Sequence, residues 1–336
     1  MVERSIAGSR VLVTGAGLVG SRLVARLVGE DAKEVRVLDR SIEQLERLGA
    51  DVDIRVGDIT DPETAVAAAD GADLVFHTAA VLEGNDVEAY HRVNDWGTEV
   101  VAQAAASVGA RRLVHLSSVA VYGFAGGDVS EEHPVRPTAQ AYSISKASGE
   151  MAAFAVGAAK GLEVTAIRPA GVFGPGSRYF TGTFMKRASR RPIRMVGNGR
   201  GAQAVVFIDD VVDLLVTVAT HPAAVGEVFN CAIDPPPTQR EYVQAYGRLV
   251  GNETFLGIPT ALVAAVGSVI VPFSKRGTYA RQLPRNVRQI DEYVRYPMDK
   301  AAAMLDWRPR YDVAAGVAAS VPWLVENGFV DEKDLV

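Results

Sequence analysis

Cysteine is nearly absent: Cys231 is the only one in 336 residues. A lone thiol excludes an internal disulfide framework and suits a reducing, cytoplasmic setting. It follows a short strand-like run and reads as a packing residue. The five histidines are scattered, so no zinc-type or other metal cluster is visible. No excess of positive charge exists either, since the net charge is −5. With no basic stripe along the chain, nucleic acid is a poor partner. Long apolar runs are also missing. The longest, 261–273, contains Gly267, Ser268 and Pro272 and is too short to cross a bilayer. It reads as a core or pocket-lining helix. No charged-then-apolar signal pattern precedes the first strand.

What is present is an alternation of strand and helix patterns from Arg10 to about Arg168. That alternation predicts an α/β fold built on a doubly wound parallel sheet. After Pro169 the pattern loosens. Gly174-Pro175-Gly176, Gly197-Asn198-Gly199 and Pro235-Pro236-Pro237 mark turns. The chain divides into a nucleotide-binding part, 1–169, and a mainly substrate-side part, 170–336. Within the second part, 206–233 is expected to return to the main sheet. Residues 170–205 and about 235–298 read as substrate-side insertions.

The first strand, Arg10 to Thr14, runs directly into Gly15-Ala16-Gly17-Leu18-Val19-Gly20. A helical pattern follows, with Leu23, Val24, Leu27 and Val28 assigned to one face. Strand, glycine turn and helix in this order make a dinucleotide site. Glycine lets the backbone approach a pyrophosphate, which sits on the positive helix end. The second strand ends at Asp39, nineteen residues past Gly20. A carboxylate there accepts hydrogen bonds from ribose hydroxyls and repels a 2′-phosphate, so NAD is favoured over NADP. Arg40, which could hold such a phosphate, is the competing signal. A third strand, from Val52 to Val56, leads to Gly57-Asp58-Ile59, either an adenine-edge contact or a plain turn.

Tyr142 and Lys146 are spaced i, i+4 in a helical segment from Gln140 to Lys160. Such residues share a helix face. An ammonium near a phenol favours the phenolate and yields an acid/base usable near neutral pH. Ser117 and Ser118 lie upstream, and a serine hydroxyl can hold the same substrate oxygen.

This order of motifs resembles the extended short-chain dehydrogenase/reductase family, which includes NAD-dependent epimerases and dehydratases and 3β-hydroxysteroid dehydrogenases. The resemblance runs along nearly the whole chain. It rests on Thr14 to Gly20, Gly57-Asp58-Ile59, His77-Thr78-Ala79-Ala80, Val93 to Thr98 and Leu116 to Gly123. It continues through Tyr142 and Lys146, Ile167 to Gly176, Phe207 to Val211, Asp299-Lys300 and Leu305 to Pro309. It implies a Rossmann-type fold with a smaller C-terminal substrate region. Tyr142 then matches the acid/base and Lys146 the residue that binds the nicotinamide ribose and depresses the tyrosine pKa. Ser118 matches the serine that polarises the substrate oxygen, with Ser117 the alternative one position away. The cofactor set it implies is Gly15, Gly17, Leu18, Val19, Gly20, Asp39, Arg40, Asp58, Ile59, Ala79, Ala80, Asn94, Ser117 and Pro169, with Tyr142 and Lys146. The family loop is usually G-x-x-G-x-x-G; here it is one residue shorter. The helices at about 87–108 and 140–160 resemble the family's dimer helices, which implies a homodimer.

Three readings compete: a dehydrogenase or reductase that exchanges NAD, a nucleotide-sugar epimerase that retains it, and a non-catalytic NAD-binding protein, against which the intact Ser118, Tyr142 and Lys146 set speaks. Sugar-nucleotide enzymes commonly carry Asn where this chain has Ala170-Gly171. They also carry an Arg clamp where it has Gln203. A neutral amide lacks the bidentate cationic grip of Arg on phosphate. Those positions, with the apolar 258–273 segment, favour an uncharged small molecule. Arg178, Arg281, Arg285 and Arg288 point the other way, Arg288 lying roughly where epimerases place a second diphosphate Arg. Val81 is a further candidate substrate contact.

Overall fold

β1 (Arg10–Thr14) is a run of Val and Leu buried on both faces, as a central parallel strand must be. The computed structural model describes residues 5–49, 51–82, 84, 86–263, 265 and 291–336. In chain order after β1 come α1 (Leu18–Val28), β2 (Glu34–Asp39), α2 (Ile42–Leu45), β3 (Asp53–Val56), α3 (Pro62–Ala69) and β4 (Leu74–His77). Then follow α4 (Val87–Tyr90), a π-helical turn (His91–Trp96), α5 (Gly97–Ser107) and β5 (Arg112–Leu116). The chain continues through β6 (Gly127–Asp128), α6 (Ala141–Lys160), β7 (Glu163–Pro169), β8 (Gly171–Phe173) and α7 (Thr183–Ala188). The last elements used below are β9 (Ile193–Val196), β10 (Val205–Phe207), α8 (Ile208–Thr220), β11 (Val228–Cys231), α9 (Gln239–Arg248), β12 (Phe255–Ile258) and β13 (Val294–Arg295).

Seven strands form one parallel sheet in the order β11-β7-β5-β4-β1-β2-β3. This is a Rossmann-type doubly wound fold. The strand order reverses between β1 and β4, and such switch points open a crevice at the carboxyl ends of the strands. Gly15 follows β1 there, and Thr78-Ala79-Ala80 follow β4.

The helix after the glycine turn buries Val19, Gly20, Leu23, Val24 and Leu27. Val28, assigned to that face from the pattern, is instead 39% exposed. The buried stripe advances by three and four residues from Val19, so position 28 has rotated off it. The helix expected over about 87–108 is broken. Its first turn is α4, its middle is the π turn, and regular α geometry resumes at Gly97.

Beyond β7 the chain builds two-stranded parallel pairs, β8 with β10, β9 with β12 and β6 with β13. Aromatic rings fill a second core there, Phe173 packing edge-on against Phe207 and Tyr242. β11 joins the edge of the main sheet beside β7. Asp210 in α8 accepts hydrogen bonds from the backbone N–H groups of Arg310 (2.9 Å) and Tyr311 (3.1 Å). Trp307 Nε1 donates to Asp213 at 2.9 Å. Asp210 and Asp213 thus fasten the C-terminal segment to α8. Among the described residues no helix is long and apolar enough to cross a membrane. Most of the 258–273 segment, with Arg281, Arg285 and Arg288, lies outside the described residues.

Candidate active site

The glycine turn is shaped by close backbone approach. Gly15 has φ +91°, and a Cβ there would lie 2.6 Å from Ala79 Cα. A Cβ at Gly20 would lie 1.8 Å from the Gly15 carbonyl oxygen. At Gly17, by contrast, a Cβ would meet nothing within 4 Å. Gly17 is the N-cap of α1, with no side-chain cap and no acidic residue in the first turn. The helix therefore presents free N–H groups and its positive end to an open space bounded by glycine. That is where a dinucleotide pyrophosphate fits. Leu18, at the start of α1, lies beneath the turn after β8: a Cβ on Gly176 would sit 2.8 Å from its Cδ1.

Asp39 ends β2 beside this turn. One carboxylate oxygen accepts from Ala16 N (2.7 Å) and the other from Ser41 N (2.8 Å). Each oxygen keeps a second acceptor position for a ribose hydroxyl. The neighbouring Arg40 side chain is exposed. Asp58 accepts from Thr60 N at 2.9 Å, closing a turn, and Arg92 approaches its carboxylate at 3.9 Å. Ile59 is buried beneath. Ala79 and Ala80 are half-buried at the end of β4, and Pro169 is buried at the end of β7.

The proton-transfer candidates gather at the carboxyl end of β5. Ser118 is extended and caps the next turn, its Oγ accepting from Ala120 N at 3.1 Å. Its side chain is near enough to the Tyr142 phenol to pull the phenol's pKa down. Ser117 is buried, and its hydroxyl has no partner among the described residues. Lys146, one turn beyond Tyr142 on α6, is 2% exposed and donates to the Leu116 carbonyl at 2.6 Å. Burial pulls its pKa down to about 8, against the upward pull of Glu150.

Burial raises the Tyr142 pKa above its usual value; Ser118 pulls it down and Tyr90 pushes it up. Lys146 is not among the groups that move it. The reason is geometric: in this conformation the ammonium is directed at the Leu116 carbonyl rather than at the phenol.

Asn94 sits inside the π turn and is fully buried. Its Oδ1 accepts from Val81 N (2.7 Å), and its Nδ2 donates to Val81 O (3.0 Å) and Ser145 Oγ (3.1 Å). It therefore braces the segment after β4 against α6. A π turn places an extra residue in the helix and is frequent at functional sites. Here it leaves the Asn94 side chain facing Val81 and Ser145.

A family model for the NAD dependent epimerase/dehydratase family matches residues 11–232. The chain belongs to that family. It is an NAD-dependent enzyme of the extended short-chain dehydrogenase/reductase type. A UDP-glucose 4-epimerase of Mycolicibacterium smegmatis is 30% identical over 93% of this chain and 97% of its own. A 3 beta-hydroxysteroid dehydrogenase/Delta 5-->4-isomerase of Mycobacterium tuberculosis is 36% identical over 50% of this chain and 48% of its own. The solved structure of an epimerase from Methanothermobacter thermautotrophicus superposes with a TM-score of 0.78 at 25% identity. It covers 96% of this chain and 94% of that one.

Within this epimerase/dehydratase frame the substrate-side candidates are scattered. Val81 is half-buried near the mouth, held by Asn94. Arg178 is exposed on the turn after β8. Gln203 is half-buried, and its backbone N–H donates to Pro237 O at 2.8 Å. Four neighbours of the site were given no role from the sequence. Tyr90 meets Tyr142 edge-on at 6.4 Å, and its hydroxyl donates to the carbonyls of Leu82 and Gly84. Arg168 pairs with Glu150 beneath Lys146 and donates to Tyr122 Oη at 2.8 Å. His77 and His115 stack at 5.4 Å next to Lys146. Of these, only the position of His77 in its motif and of Arg168 before Pro169 gave any sequence signal. Cys231 ends β11, fully buried, and burial pushes its thiol pKa up, consistent with packing.

Proposed function

We propose that this chain catalyses reversible hydride transfer at a secondary alcohol or ketone, with Tyr142 as acid/base, Ser118 holding the substrate oxygen and Lys146 on the nicotinamide ribose. The observation that carries this reading is the grouping of Ser118, Tyr142 and Lys146 at the carboxyl end of β5, with Ser118 lowering the Tyr142 pKa and Lys146 one helical turn away. Bound NAD supplies the hydride chemistry at its nicotinamide ring. The protein orients the alcohol and moves its proton. In reduction, the neutral Tyr142 phenol gives its proton to the carbonyl oxygen while the Ser118 hydroxyl keeps that oxygen in place. In oxidation the proton returns, and a Lys146 ammonium turned towards the phenol lowers the cost of the phenolate.

The substrate on this reading is an uncharged small molecule. Ala170-Gly171 and Gln203 replace the groups that would grip a diphosphate. Beside Tyr142 the Tyr90 ring packs edge-on. The second reading, a nucleotide-sugar epimerase on retained NAD, is favoured by the near full-length similarity to UDP-glucose 4-epimerase. A cytosolic homodimer through α5 and α6 belongs to both readings; Met151 on α6 is 67% exposed.

The discriminating experiment is to purify the protein without added cofactor, denature it and identify any nucleotide released. Little nucleotide supports exchange, and sterols, ketones and free sugars are then screened by following NADH. Near-stoichiometric NAD supports the epimerase reading and overturns the first. Under either, Tyr142→Phe loses turnover by about 10²–10⁴-fold with nucleotide binding retained. Near-normal turnover in that variant removes Tyr142 from the role of acid/base.

A further inference from the structure

We propose that His77 is a positioning residue: neutral and protonated on Nε2, it holds the catalytic helix α6 in register with the glycine turn. Its two ring nitrogens join opposite sides of the site. Nδ1 lies 2.6 Å from Thr14 Oγ1, on the residue that precedes Gly15. Nε2 lies 2.9 Å from Thr98 Oγ1, in the first turn of α5.

The direction of each bond follows from proton supply. Thr98 Oγ1 donates its only proton to the Asn94 carbonyl at 2.7 Å. It must therefore accept from His77, which places the imidazole proton on Nε2. Nδ1 is then an acceptor, and the Thr14 hydroxyl donates to it. Asn94 continues the path through its side chain to Val81 and to Ser145, the residue before Lys146. Asn94 O also lies 2.0 Å from where a Cβ on Gly149 of α6 would be, so the π turn and α6 pack at backbone distance. Thr14, His77, Asn94, Thr98 and Ser145 are each 1% exposed or less. No water competes for these bonds, so each missing partner would be felt in full.

The ring plane is fixed as well as its ends. His115 faces His77 across the β4–β5 pair and stacks on it at an interplanar angle of 24°. Neither nitrogen of His115 has a partner among the described residues. Burial, and after it the Lys146 charge, lower the His77 pKa to about 3 and put that of His115 well below its usual value. The pair thus stays neutral beside the lysine. A charged His77 would donate from both nitrogens and break the chain of directions.

The test uses NAD affinity of the full chain and the protonation pattern of the ring. Both readouts are independent of which alcohol is oxidised and of whether Tyr142 is the acid/base. Thr14→Val and Thr98→Val each remove one hydroxyl at nearly constant volume. Thr98 lies on the far side of His77 from the glycine turn, yet Thr98→Val is expected to raise the NAD Kd by about 2- to 12-fold, one hydrogen bond's worth. The two substitutions together should cost less than the product of their separate effects, because both act through one ring. His77→Gln, whose amide can still donate towards Thr98, should recover part of the affinity lost in His77→Leu. In ¹⁵N spectra of histidine-labelled protein, His77 should show a protonated Nε2 and a bare Nδ1. Circular dichroism confirms that each variant is folded at the assay temperature. A wild-type Kd in Thr98→Val, fully multiplicative effects in the double variant, or a proton on Nδ1 each overturns the proposal.

Discussion

Asp39 ties the end of the second strand to the glycine turn: its Oδ2 accepts from Ala16 N at 2.7 Å while Oδ1 accepts from Ser41 N at 2.8 Å. The carboxylate proposed to hold the ribose thus also braces the glycine turn. Asp39→Ala removes both functions. Hydrogen bonds to a charged group are worth about 1.5–3 kcal/mol, so NAD affinity should fall by about 10- to 100-fold. The preference over NADP should narrow, because the repulsion of a 2′-phosphate is lost too. Titration with NADH and NADPH by fluorescence measures both. An unchanged ratio would place cofactor selection on another residue.

Gly17 and Gly20 should respond in opposite ways to alanine. A Cβ on Gly20 collides with the Gly15 carbonyl, so Gly20→Ala distorts the turn and lowers both thermal stability and NAD affinity. A Cβ on Gly17 enters open space, and its φ of −71° suits any residue. Gly17→Ala should keep the melting temperature yet weaken NAD by about tenfold or more, because the added carbon stands where the pyrophosphate approaches. Equal affinity for NAD in Gly17→Ala would mean that the pyrophosphate lies elsewhere.

Glu150 and Arg168 form a pair with side chains 6% and 4% exposed. Removing one partner of a buried pair leaves the other charge uncompensated, at a cost of about 3–5 kcal/mol. Glu150→Gln should therefore unfold at markedly lower denaturant than wild type. Glu150→Gln with Arg168→Gln should recover part of the loss. If the double variant is no better than the single one, the pair is not what holds this layer.

Lys146 makes a pH-dependent contribution whose sign is opposite to that of a paired lysine. Burial pulls its folded pKa down to about 8, below the ordinary lysine value of 10.5. Between those values the unfolded chain holds the proton and the folded chain does not, so stability rises with pH across that window. Below pH 8 both states are charged and the whole burial cost is present. Lys146→Met removes this cost. Relative to wild type, the variant should be more favoured at pH 7 than at pH 10 in urea denaturation. A difference independent of pH would mean that Lys146 is not desolvated in the folded protein.

Local relations along the chain were readable from residue order. A β-branched run followed by closely spaced glycines and an amphipathic stretch makes strand, turn and helix through short-range sterics and periodicity. The i, i+4 spacing of Tyr142 and Lys146 puts them on one helix face for the same reason. What needed the fold were relations between residues far apart in sequence. Thr14 meets His77 across 63 positions, and Asn94 meets Ser145 across 51. Arg168 meets Glu150 across a sheet–helix packing, and Tyr90 meets Tyr142 edge-on across 52 positions. The direction of the Lys146 ammonium is of this kind too. Its spacing from Tyr142 is a property of the helix, whereas its partner, the Leu116 carbonyl, is supplied by β5. Sequence alone thus determined the parallel α/β architecture and most of each helix's buried face, Val28 excepted, because backbone periodicity is local. Tertiary packing decided protonation states and hydrogen-bond partners, because burial and long-range contacts set the energy of every charge and orphaned polar group.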